Sequence, residues 1–148
     1  NMVNNCINKD MVSFGISSAS QKEVIRLANK LFNLDTVDKI TADKVSKKLI
    51  EANNSGILKE VLSFTVGGDY SVAHSLTSFC SEDVGLAFLN IIEKAKIVGD
   101  ILPLTADKKF KISVAELLAR SKSEKVRLKF LETLDNTGMA KDMFGQYL

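Results

Sequence analysis

The chain repeats itself, and this is what most limits the folds open to it. Residues 71–106 laid over residues 113–148, a shift of 42 without a gap, agree at 11 of 36 positions, where average residue usage gives roughly two by chance. Ser71-Val72-Ala73 meets Ser113-Val114-Ala115, Leu76 meets Leu118, and Ser81-Glu82 meets Ser123-Glu124. Val84, Leu86, Phe88 and Leu89 meet Val126, Leu128, Phe130 and Leu131, and Asp100 meets Asp142. Most matches are apolar, as expected if the repeat preserves buried positions. A weaker third copy lies upstream: Ile57 to Tyr70 aligns with Ile97 to Phe110 at a shift of 40, pairing Ile57/Ile97, Val61/Ile101, Leu62/Leu102, Thr65/Thr105 and Tyr70/Phe110.

The repeated elements read as helices. Ser20-Gln21-Lys22-Glu23 is a capping-box pattern. Behind it Val24, Leu27, Ala28 and Leu31 recur at i, i+3, i+4 and i+7, one face of a helix. Thr41 is the expected cap of a helix through about Asn53 that buries Val45, Leu49 and Ala52, and Asn53-Asn54-Ser55-Gly56 stops it. A short apolar helix follows from Ile57 to Val66, then a turn at Gly67-Gly68-Asp69, a helix from Tyr70 to Phe79 and another from Ser81 to about Ala95. A segment from Ile97 breaks near Pro103, the only proline. Helices are expected at about Phe110–Ser121, Ser123–Asp135 and Met139–Leu148. No stretch alternates with period two, so the sequence predicts no strands. Residues 1–19 read as a tail or irregular lead-in, and residues 20–148 as one repeat domain with units at roughly 20–40 (partial), 41–80, 81–122 and 123–148 (partial).

A unit of 40–42 residues with two or three helices has the period of the armadillo and HEAT class of solenoids, and the chain resembles armadillo repeats in particular. Ser123 to Glu132 resembles the first helix of an armadillo unit. Gly138 before Met139, and Gly56 before Ile57, resemble the glycine between the first helix and the second. Ile97 to Leu102 resembles the second helix and Phe110 to Ser121 the third. The resemblance implies an all-α fold, a right-handed α-solenoid of about three armadillo/HEAT-like three-helix repeats. It also implies a non-enzymatic protein–protein interaction scaffold that binds a peptide or partner protein on a concave face lined by the third helices. By the core pattern of those helices the groove positions fall at Arg26 and Lys30, at His74 and Ser78, and at Glu116 and Arg120. None is the Trp or Asn that many peptide-binding members carry there, which argues against a reader of basic peptides. Arg26, Lys30, His74 and Arg120 are expected to attract an acidic or mixed surface. The last unit stops after its second helix, so Met139, Met143, Phe144, Tyr147 and Leu148 are expected to be left partly open. Either the array continues in a longer chain, or this face docks on a partner or a second copy.

Other chemistry finds little footing. Net charge is +2, too small to make nucleic acid the default partner, and the lysine patches are interleaved with acids. No apolar run approaches the ~18 residues of a spanning helix. Cys6 and Cys80 form neither a disulfide framework nor a metal pattern, which suits a reducing, cytoplasmic setting. The chain begins Asn1-Met2 without a basic-then-apolar leader, so no signal peptide is expected. His74 is the only histidine and has no Cys or carboxylate at i+3 or i+4. Gly67-Gly68 lacks the Lys-Ser/Thr of a phosphate loop. Asp107 to Glu116 puts Phe110 where a calcium loop requires glycine. No cofactor and no metal are expected. The alternatives are a regulatory or structural helical domain of a larger cytoskeletal or trafficking protein, packing within its chain or on a GTPase, and a piece of a helical enzyme.

Overall fold

A computed structural model of the protein describes residues 17–66, 70–106 and 111–140. Among them it is mostly helical, with eight helices and four two-residue strands. In chain order these are α1 (Ser18–Phe32), α2 (Thr41–Asn54), α3 (Leu58–Ser63), β1 (Thr65–Val66), β2 (Tyr70–Ser71), α4 (Val72–Thr77), α5 (Glu82–Lys94), α6 (Val98–Ile101), β3 (Thr105–Ala106), β4 (Ile112–Ser113), α7 (Val114–Ala119) and α8 (Glu124–Asn136). The expected last helix, Met139–Leu148, and the turn at residues 67–69 lie outside the described residues, apart from Met139 and Ala140. So does the tail through residue 16.

The serines that match across the repeat begin its helices. Ser71, Ser81, Ser113 and Ser123 are all N-caps, and each hydroxyl accepts the backbone N–H three residues on, at 3.1–3.3 Å. Each long helix of the repeat also ends alike. The N–H groups of Ile57, Ile97 and Met139 reach back over five residues to the carbonyls of Ala52, Ile92 and Leu134 at 2.9–3.0 Å. The residue before each is left-handed: Gly56 and Gly138 at φ 71°, and Lys96 at φ 60°. This is the Schellman stop, which relieves the carbonyls that a helix end orphans.

Equivalent elements pack on one another. The first helices form the row α2, α5, α8, the second helices pack α3 against α6, and the third helices form the row α1, α4, α7. The core runs between the rows. Val84, Phe88 and Ile92 of α5 are buried, and so are Val126, Phe130 and Leu134 of α8, each 42 residues on. α5 and α8 approach closely because Gly85 has no side chain; a Cβ there would stand 2.9 Å from a methyl of Val126.

Several expectations are corrected. The first helix starts a turn earlier, at Ser18, and Ser17 caps it by accepting from the Ser20 N–H at 3.2 Å; Ser20 is inside the helix and Glu23 pairs with Arg26. Thr41 is the first helical residue and is buried, and its predecessor Ile40 caps without a side-chain bond. The third helices α4 and α7 are six residues each, much shorter than Tyr70–Phe79 and Phe110–Ser121 suggested. The missing residues pair as two antiparallel hairpins, Thr65↔Ser71 with Val66↔Tyr70 and Thr105↔Ser113 with Ala106↔Ile112. Two-residue strands are too short to show alternation. The hairpins also correct the alignment: β1 and β3 are 40 residues apart, but β2 and β4 are 42 apart, so Tyr70 corresponds to Ile112 rather than Phe110. The loop of the second hairpin is two residues longer.

Two measurements test these features. Lys96→Gly removes the strain of a left-handed lysine, offset in part by a looser unfolded chain, and should stabilise by about 0.5–1 kcal/mol, a rise in Tm of about 2–4 °C per kcal/mol in calorimetry. Gly85→Ala should destabilise by about 1–3 kcal/mol by overpacking. Adding Val126→Ala should cost less than the sum of the two single changes in chemical denaturation.

Candidate functional site

The positions expected to form a ladder on the third helices do not share one open face. His74 is 1% exposed. Its Nε2 donates to the Ile112 carbonyl of β4 at 3.0 Å, which leaves Nδ1 to accept from the Ser71 hydroxyl at 2.6 Å. The ring of Tyr70 leans on it at 5.7 Å between centroids. The imidazole is a joint between α4 and the hairpin of the following unit, not a groove residue. Burial pushes its pKa below the ordinary range, against the opposite pull of the Ile112 and Leu104 carbonyls. Ser78 and Arg120 follow the last residues of α4 and α7, so neither extends a helical face from His74 or Glu116. Glu116 is half-buried and Arg120 exposed, and they face each other at 4.0 Å.

Arg26 is held by Glu23 on its own helix and by Glu51 of α2, whose Oε1 accepts at 2.6 Å. Those hydrogen bonds raise the guanidinium pKa and lower that of Glu23. Its charge is thereby spent within the fold. Lys30 is exposed near the end of α1. Cys80 is half-buried, and burial pushes its thiol up, away from the reactive thiolate.

An opening lies instead on the row of first helices, between α2 and α5, with a volume of about 570 Å³. Ala42, Ile50, Leu86, Ala87 and Ile91 supply its apolar surface; Lys39, Asp43, Asp83, Asn90 and Lys94 supply its charged and polar groups. Ile50 is 48% exposed. The next junction, α5 to α8, holds the equivalent place in the repeat and is bridged by side chains. There Glu82 accepts from the Ser123 hydroxyl at 2.6 Å and stands 3.9 Å from Lys125. Glu93 accepts from Asn136 at 2.9 Å and pairs with Lys129 at 3.5 Å. The Asn136 bond and the nearby Lys129 hold the Glu93 carboxyl below its usual range. In the α2–α5 junction the corresponding positions are Ala42 and Asn53 on α2, and Asp83 and Ala87 on α5. One wall lacks the two glutamates and the other the two lysines, and among the described residues no ion pair or side-chain hydrogen bond spans the groove.

Beside the groove's Lys39 is an exposed apolar patch. Val37 and Ile40 project from the α1–α2 loop, and Phe79, 84% exposed, from the α4–α5 loop. The Ser81 N–H donates to the Thr36 carbonyl at 2.7 Å and ties the two loops together. Phe79 is left-handed at φ 55°, an uncommon state for an aromatic residue.

Sequence reasoning missed the groove because it is defined by what its walls lack. The signal was present in the repeat alignment, where Lys125 and Lys129 stand opposite Asp83 and Ala87. Among the described residues no cluster of three or more His, Cys, Asp or Glu side chains is placed to hold a metal ion, and no helix is long and apolar enough to cross a membrane. The chain matches no family model, no curated protein and no solved structure.

The His74 environment predicts a pH dependence. A folded pKa below the unfolded value of about 6.5 means the unfolded chain binds the proton more readily. The stabilising contribution of neutral His74 is therefore complete above about pH 6.5 and falls as pH drops toward the folded pKa. Thermal melts from pH 7.5 to 5 should show Tm declining in the native protein and declining less in His74→Gln.

Proposed function

We propose that the protein is a non-enzymatic protein-binding scaffold built as a right-handed, armadillo-like solenoid, and that it takes its partner in the α2–α5 groove. Three features support the solenoid reading: the 42-residue repeat, the Schellman stop at the end of each first helix, and the row-on-row packing of equivalent helices. The observation that carries the binding site is the contrast between two equivalent junctions, one bridged by Glu82, Lys125, Glu93 and Lys129 and the other open over Ile50, Leu86 and Ile91.

The chemistry of the groove describes its occupant. Affinity comes from apolar side chains seated over Ile50 and Leu86, and register from mixed charge on the rim, where Lys39 and Lys94 stand among Asp43 and Asp83. Phe79 with Val37 and Ile40 extends the apolar contact beyond the groove. A strained, exposed aromatic is the kind of anchor that gains most from burial by a partner. The partner is therefore a protein segment with apolar anchors between charges of both signs.

Peptides selected by display against the intact protein provide the test, with binding mapped by amide chemical shifts. Shifts should centre on Ile50, Leu86 and Phe79. Asn53→Glu with Ala87→Lys rebuilds the equivalent of the Glu93–Lys129 bridge across the Ala87 side of the groove and should reduce affinity at least tenfold without lowering Tm. Shifts confined to Lys30, Glu116 and Arg120, with unchanged affinity in the bridged variant, would return the site to the third helices.

A further inference from the structure

α8 ends the row of first helices among the described residues, and its outward stripe is not finished as a solvent face. Leu131 is 43% exposed and Leu128 is 56% exposed. The counterpart of Leu131 one unit earlier, Leu89, is fully buried, on the side of α5 where Gly85 meets Val126 of α8. Three residues four apart run along the stripe: Arg127, Leu131 and Asp135. Such a row is a continuous ridge on a helix surface. Arg127 is half-buried and stands where α5 has Gly85, the residue that lets the next helix come close; its guanidinium, held at Nη1 by a hydrogen bond to the Ser121 carbonyl, meets any further helix packed as α8 packs on α5 and presents its remaining N–H edge to a second anion. Asp135 lies in the last turn of α8, which holds no basic residue. A carboxylate there faces the negative end of the helix dipole, and no cation among the described residues pairs with it.

We propose that this stripe is a homodimer contact, in which the α8 helices of two copies pair antiparallel about Leu131 and Arg127 of each copy meets Asp135 of the other. The ridge is its own complement under a two-fold rotation centred on Leu131: apolar meets apolar at the middle, and a cation meets an anion on either side. Closed two-fold contacts of this kind use one patch twice. The other end of the row does not compete as occupant. On α2 the places of Val84 and Phe88 are held by Lys44 and Lys48, so a head-to-tail stack would set ammonium groups on Leu131. One helix pair about 20 Å long buries less than a standard interface, so the dimer is weak and forms at high micromolar to millimolar concentration. The contact is remote from the α2–α5 groove and stands or falls independently of it.

Sedimentation equilibrium of the full chain decides the matter. The native protein should move from monomer mass toward twice that mass as concentration rises. Arg127→Asp sets Asp against Asp and Asp135→Arg sets Arg against Arg, so each variant alone should remain monomeric at the highest concentration reached. Mixed in equal amounts the two should form a heterodimer, and the double variant R127D/D135R should recover self-association. Thermal melts confirm that all four proteins are folded. A native protein that stays monomeric throughout overturns the proposal. So do single variants that dimerise as well as the native chain, or a mixture that fails to pair.

Discussion

A three-helix unit of about 40 residues has more apolar surface than it can cover by folding on itself, and the rest of this structure follows from that shortage. α5 is the plainest case. Its apolar residues face more than one direction, and it is buried only because α2 stands on one side and α8 on the other. The close approach at Gly85 and the buried Val84, Phe88 and Ile92 belong to junctions between units rather than to any unit alone. Apolar burial is worth about 25 cal/mol per Å², so the driving force is shared along the chain. The polar groups at the junctions decide whether neighbours are bridged across the surface.

That division of labour explains why two junctions at equivalent places in the repeat differ. Between α5 and α8, two glutamates and two lysines face each other across the seam with Ser123, Thr133 and Asn136 completing the carboxylates' hydrogen bonds. The Glu82–Lys125 pair is largely exposed and adds little stability; the Glu93–Lys129 pair is half-buried. Between α2 and α5, alanine and aspartate leave the seam open while the core beneath is intact. A surface groove can thus be opened or bridged by surface substitution alone.

Much of the fold was legible in the sequence, because burial and capping leave periodic marks. Val24, Leu27, Ala28 and Leu31 share the buried face that their spacing foretold, and so do Val45, Leu49 and Ala52. The matched serines of the repeat are its N-caps. What was not legible depended on geometry that spacing does not encode. Ser17 and Ser20 are both acceptable caps, and the choice between them is made by where α1 meets its neighbours. The short strands carry no alternation. His74 looked like a surface position because its helical register was sound, yet the helix there is only six residues long and the Ile112 carbonyl of the next hairpin draws the ring inward. The groove escaped notice because reading a chain for residues that are present does not reveal a place where long side chains are missing.

The two hairpins differ by two residues in their loops while the helices on either side keep their stacking. The change of period from 40 to 42 is absorbed wholly at a loop, where neither row of long helices is displaced. Such a loop acts as an expansion joint. Units of this architecture can drift apart in length there without losing their fit to one another, and a search that insists on a constant spacing loses register at that point.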